Sequence, residues 1–154
     1  MNQAIAALAC FCVLASPLAG HAQDSLRITP SALPKGDDPG FRCSFGYSKP
    51  EAAILWADDD SIPNRRALLT VNGKAVMLAP TGIKWIGKGG GGNVGDKLEM
   101  SFAGSGVRVN VSATVTWTCP SDSENCEVTK YRAKILVTSG GASTTLNAKG
   151  DCGS

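Results

Sequence analysis

The sequence predicts an all-β domain, a small antiparallel meander of about eight or nine strands that curls into a barrel, with a two-sheet sandwich as the alternative. Three observations predict it. From Phe41 onward apolar and polar residues alternate in short runs, and helical periodicity appears nowhere with comparable strength. The runs are separated by turn-forming residues: Asn72-Gly73, Ala103-Gly104-Ser105-Gly106 and Ser139-Gly140-Gly141-Ala142. Cys43, Cys119, Cys126 and Cys152 form an even set, which in an exported chain reads as two disulfides.

The N-terminal segment supplies the export argument. An apolar stretch from Ala4 to Val13 is followed by Pro17 and by small residues at Ala19, Gly20 and Ala22. That order reads as a signal peptide over residues 1–22, although no Lys or Arg precedes the apolar core. The core is shorter than the roughly 20 residues a membrane span needs. The expected product is therefore periplasmic or secreted, without membrane insertion after cleavage. Residues 23–40, with Pro30, Pro34, Pro39, Gly36 and Gly40, read as a flexible N-terminal arm, poorly ordered unless it docks. Residues 41–154 then make one β domain, a size that buries a modest core.

The strands follow in order. Arg42 to Tyr47 and Ala52 to Ala57 are the first two candidates. A two-residue turn at Asn72-Gly73 pairs Val71 with Lys74 and Leu69 with Val76, placing Leu69, Val71, Val76 and Leu78 on one face. Ile83 to Ile86 reads as a separate strand. Leu98, Met100 and Phe102 alternate, as do Val107, Val109 and Val111, and a four-residue loop between them pairs Phe102 with Val107 and Met100 with Val109.

The second alternation continues through Ala113, Val115, Trp117 and Cys119, which assigns Trp117 to the core. Its partner runs from Cys126 to about Thr138, after the tip Pro120 to Asn125. Pairing Cys119 with Cys126 puts Trp117 opposite Val128, but farther on the apolar set Tyr131, Ala133, Ile135 and Val137 has the opposite parity. A β-bulge between Val128 and Tyr131 restores agreement. Ser143 to Ala148 is the last strand. Cys119 and Cys126 flank a hairpin end and so pair with each other, leaving Cys43 for Cys152.

Composition restricts the chemistry. His21, the only histidine, lies in the signal segment, so the mature chain has no Ser-His-Asp or Cys-His site and lacks the commonest zinc ligand. Four thiolates on one zinc would be the remaining metal arrangement, but Cys-x-x-Cys spacing is absent. Neither a cofactor nor a metal is expected. The 15 basic and 13 acidic residues give a net charge of +2 and are scattered along the chain, which makes no case for nucleic acid or an anionic membrane.

Four local features stand out. Gly87 to Gly95 is glycine-rich, but Gly-Lys-Ser/Thr opening a helix is missing, so it reads as an adaptable loop rather than a phosphate cradle. Asp58-Asp59-Asp60 does not have calcium-loop spacing and reads as a solvated turn. Trp56 and Trp85 sit near strand ends, where exposure would suit sugar stacking. Asn110-Val111-Ser112 matches an N-glycosylation acceptor on an outward strand face.

A signal peptide, a small β-meander and a disulfide reaching the C-terminal end resemble the plan of periplasmic inhibitors of c-type lysozyme, and Leu69-Thr70-Val71-Asn72-Gly73-Lys74 is similar to a hairpin of that family. The family's inhibitory motifs, Ser-Gly-x-x-Tyr and Tyr-x-x-x-Lys-Gly, are not matched. Val109 follows Ser105-Gly106 and Thr145 precedes Lys149-Gly150 where Tyr belongs. The resemblance is therefore one of architecture.

These readings lead to a non-catalytic, exported macromolecule-binding protein, an inhibitor or immunity protein of an envelope hydrolase, with a protein partner in the cell envelope. A glycan-binding or structural envelope protein is the alternative. The candidate partner-binding residues are Lys88 and Asn93 in the glycine loop and Asp122 and Glu124 at the disulfide-clamped tip.

Overall fold

The structure, a computed structural model, describes residues 25–31, 43–47, 53–57, 66–87, 92–121 and 126–153. The signal segment, most of the arm, Asp58 to Asp60, Lys88, Asp122 and Glu124 lie outside the described residues. Within them every regular element is a strand: β1 (Ile28–Thr29), β2 (Cys43–Gly46), β3 (Ala53–Ala57), β4 (Ala67–Val71), β5 (Lys74–Ile86), β6 (Lys97–Gly104), β7 (Val107–Thr118), β8 (Val128–Ser139) and β9 (Ala142–Gly153).

All nine belong to one curled antiparallel sheet. Each strand from β2 to β9 pairs with its chain neighbours, and β9 returns to pair with β2. The pairings therefore run in a ring, which is the barrel arrangement and not the two-sheet sandwich. Inward positions fill the core. Phe45, Leu55, Leu69, Val109, Ile135 and Val137 are wholly buried, as expected of the apolar half of each alternation. Burying each such side chain contributes about 1.5–3 kcal/mol.

Asn72-Gly73 forms the expected two-residue turn, with φ of 49° and 77° and Val71 opposite Lys74. Ser139 pairs with Ala142 across Gly140-Gly141, also as expected. The β6–β7 register differs from expectation. Ser105-Gly106 takes positive φ at both residues (49° and 75°) and closes the hairpin in two residues. Gly104 thus meets Val107, Phe102 meets Val109 and Met100 meets Val111. The slip is an even one, so every apolar residue keeps its inward face.

The expected bulge exists but lies in the other strand. Val115 faces Tyr131 and Trp117 faces Lys130, leaving Thr116 as the extra residue of β7. Beyond it the parity of β7 inverts, and Trp117 leaves the core for the surface, 40% exposed. Lys74–Leu78 and Ile83–Ile86, expected as two strands, form a single strand β5. It pairs first with β4 and then with β6, with Thr81 as an extra residue between Pro80 and Gly82. This irregularity accommodates a proline inside a strand.

Part of the N-terminal arm docks. β1 adds to β4 where β3 no longer covers it, with Ile28 opposite Val71. Arg27 N–H donates to Asn72 Oδ1 at 2.9 Å, and Asn72 N–H donates to the Arg27 carbonyl at 2.8 Å. Ser31 Oγ and Thr70 Oγ1 lie 2.9 Å apart, and Leu26 and Ile28 pack on the core.

Candidate functional site

The two ends of the barrel are built differently. At one end three of the four connections turn in two residues each, at Asn72-Gly73, Ser105-Gly106 and Gly140-Gly141, and the fourth joins Gly46 of β2 to Ala53 of β3. The opposite end carries the long connections, those following β3, β5 and β7. Both disulfides brace this second end. A single register row crosses five strands there as Thr118, Thr129, Cys152, Cys43 and Ala57. Cys43 is bonded to Cys152 inside that row, and Cys119 to Cys126 just beyond it. Val128 N–H donates to Cys119 Sγ at 3.1 Å, fixing the start of β8 against the bridge.

The glycine connection is anchored at its base. Asp96 is buried, and its carboxylate accepts from the Asn93 backbone N–H at 3.1 Å and from Asn93 Nδ2 at 3.4 Å. Gly95 N–H donates to the Val115 carbonyl, and Val115 N–H donates to the Asp96 carbonyl, both at 2.9 Å. The base of this loop is thereby tied to β7 beside the Thr116 bulge. A Cβ at Gly87 would overlap the Asp96 carboxylate, so a larger residue there would displace the anchor. Of the partner-binding candidates, Asn93 is exposed but is also part of this anchor. The described residues flanking Lys88 and those flanking Asp122 and Glu124 place both connections at the braced end.

A second feature was not legible as a site in the linear sequence. The outward positions of β8 are, in succession, Lys130, Arg132, Lys134 and Leu136. Arg132 stands between Thr114 on β7 and Lys149 on β9, and Thr114 is opposite Lys97 on β6. One row up, Lys134 is in register with Ser112 and Asn147, and Ser112 with Glu99. One row down, Lys130 lies beside Trp117, its Nζ 5.1 Å from the ring centroid, and beside Asp151. Ser44 Oγ donates to Asp151 Oδ1 at 2.7 Å. Among the described residues none of these cations forms an ion pair. Alternation within β6–β9 was the signal that could have found this face, because every one of these cations has outward parity.

Trp85 is half-buried against the core, Trp56 lies in β3, and Trp117 is exposed. Asn110 is exposed on the outward face, where its Oδ1 accepts from Ser101 Oγ at 2.8 Å. An open cleft between the Ser105-Gly106 and Gly140-Gly141 turns is lined by glycine, alanine, serine, threonine, Val107 and Arg108, its only charged residue. No group of three His, Cys, Asp or Glu that could hold a metal ion occurs among the described residues, and none of them forms a helix long and apolar enough to cross a membrane. Comparisons with models of protein families, with curated proteins and with solved structures find no match to this chain.

Proposed function

We propose that the chain is an exported, non-catalytic binding domain whose braced end engages a protein partner in the cell envelope, in the manner of an inhibitor or immunity protein. The observation that carries this reading is the asymmetry of the barrel. Both disulfides and the Asp96 anchor sit at the end whose three connections are the longest, while three of the four connections at the other end are two-residue turns. Loops held by a stiff scaffold cost little ordering free energy when they bind. Two disulfides suit an oxidising, extracytoplasmic compartment. The glycan reading is less well supported, since Trp85 packs against the core instead of standing free for stacking.

The test uses the oxidised mature chain, residues 23–154. It is used to capture partners from periplasmic extract and, in parallel, from purified peptidoglycan. A variant lacking residues 88–91 should then lose affinity for the captured protein while its melting temperature holds, because glycine-rich segments contribute little to a core. Unchanged affinity would remove the glycine loop from the site and move it to the Cys119–Cys126 tip. Turnover of an envelope substrate, lost on replacing one carboxylate, would overturn the non-catalytic reading.

A further inference from the structure

We infer that the outward face of β6–β9 is a docking surface for an anionic phospholipid membrane, an interaction separate from the braced end. Charge is the first argument. Lys130, Arg132 and Lys134 follow one another at outward positions of β8, spaced about 7 Å apart by the two-residue repeat. Lys149 lies directly opposite Arg132 on β9. Like charges directly opposite one another are destabilising in a sheet. Asp151, opposite Lys130, and Glu99 on β6 are acids of the same outward face, outnumbered there by Lys97, Arg108 and these four cations, and among the described residues none of the four forms an ion pair. An anionic surface relieves the repulsion that this excess of positive charge leaves.

The second argument separates a membrane from a soluble polyanion. Apolar side chains are interleaved with the cations on the same face. Trp117 (40% exposed) stands beside Lys130, and Leu136 (36%) follows Lys134. An indole can stack on a nucleic-acid base or a sugar, but the aliphatic Leu136 gains nothing from a hydrated polymer. At the headgroup–acyl boundary both are favourable, and Trp prefers that level. Cations near such a surface each strengthen partitioning about fivefold.

Co-sedimentation of the oxidised mature chain with vesicles tests this. Binding is expected to phosphatidylcholine vesicles containing phosphatidylglycerol and not to phosphatidylcholine alone. The triple variant K130Q/R132Q/K134Q, with an unchanged circular dichroism spectrum, should partition roughly 100-fold less. L136S should weaken vesicle binding while leaving any binding to oligothymidylate unaltered. Equal partitioning to neutral vesicles, no partitioning to either, or indifference to the triple substitution would overturn the proposal. Tighter binding to oligothymidylate than to vesicles at matched phosphate concentration would also overturn it, and would assign the face to nucleic acid.

Discussion

The two disulfides should differ in their contribution to stability, and the difference follows from topology. Cys43–Cys152 closes a loop with a sequence separation of 109, whereas Cys119–Cys126 closes one of 7. Taking these as loop lengths, the chain-entropy relation gives about 4.8 kcal/mol for the first and about 2.4 kcal/mol for the second. The long-range bridge also lies on the seam where the ring of pairings returns to its start, since β9 meets β2 over a strand of only four residues. Without it that short strand holds the seam alone. Domains of this size typically have 5–15 kcal/mol of stability in total, so C43A/C152A removes a third or more, while C119A/C126A is tolerated. Equilibrium urea unfolding of the oxidised parent and both double variants measures the two losses from shifted midpoints at constant slope. If C119A/C126A costs as much as C43A/C152A, loop entropy and seam closure are not what these bridges supply.

Two further outcomes test the packing. Gly150→Ala should destabilise by about 1–3 kcal/mol, because its Cβ would overlap the ring of the wholly buried Phe45; thermal unfolding of the variant, with Phe45→Leu as partial rescue, reads this out. Trp117→Ala should cost under about 1 kcal/mol while Phe102→Ala, at a buried position of β6, costs about 3–5 kcal/mol; similar losses in urea unfolding would return Trp117 to the core.

Legibility in the sequence followed the physics of each element. Asn72-Gly73 was readable because two successive positive-φ positions select those residue types, and the register followed from the turn. Ser105-Gly106 does the same work with a serine, a residue that seldom adopts positive φ, so a longer loop was expected. The strand faces survived because the error was two residues. Ile83 to Ile86 read as a separate strand, whereas the chain carries β5 through Pro80 and Gly82 by pairing its two halves with different neighbours. Parity demanded a bulge in the β7–β8 hairpin but carried no information about which strand holds it. Placing it at Thr116 instead of in β8 turned Trp117 outward.

The cationic face was hidden for a different reason. With Tyr131, Ala133 and Ile135 pointing inward, Lys130, Arg132 and Lys134 point out. The net charge of +2 conceals this, because it sums over the whole chain, in which Asp58, Asp59, Asp60, Asp122 and Glu124 fall between strands, whereas Lys97, Lys130, Arg132, Lys134 and Lys149 hold outward strand positions on a face they share with Glu99 and Asp151. A sum over the chain treats these groups as cancelling, but solvent does not. At about 3.3 Å per residue, Lys134 lies roughly 20 Å along the chain from Glu127 at the foot of β8, against a Debye length of about 8 Å at physiological ionic strength. A mid-strand cation is thus screened from the acids of the connections, and an approaching partner meets a positive sheet face.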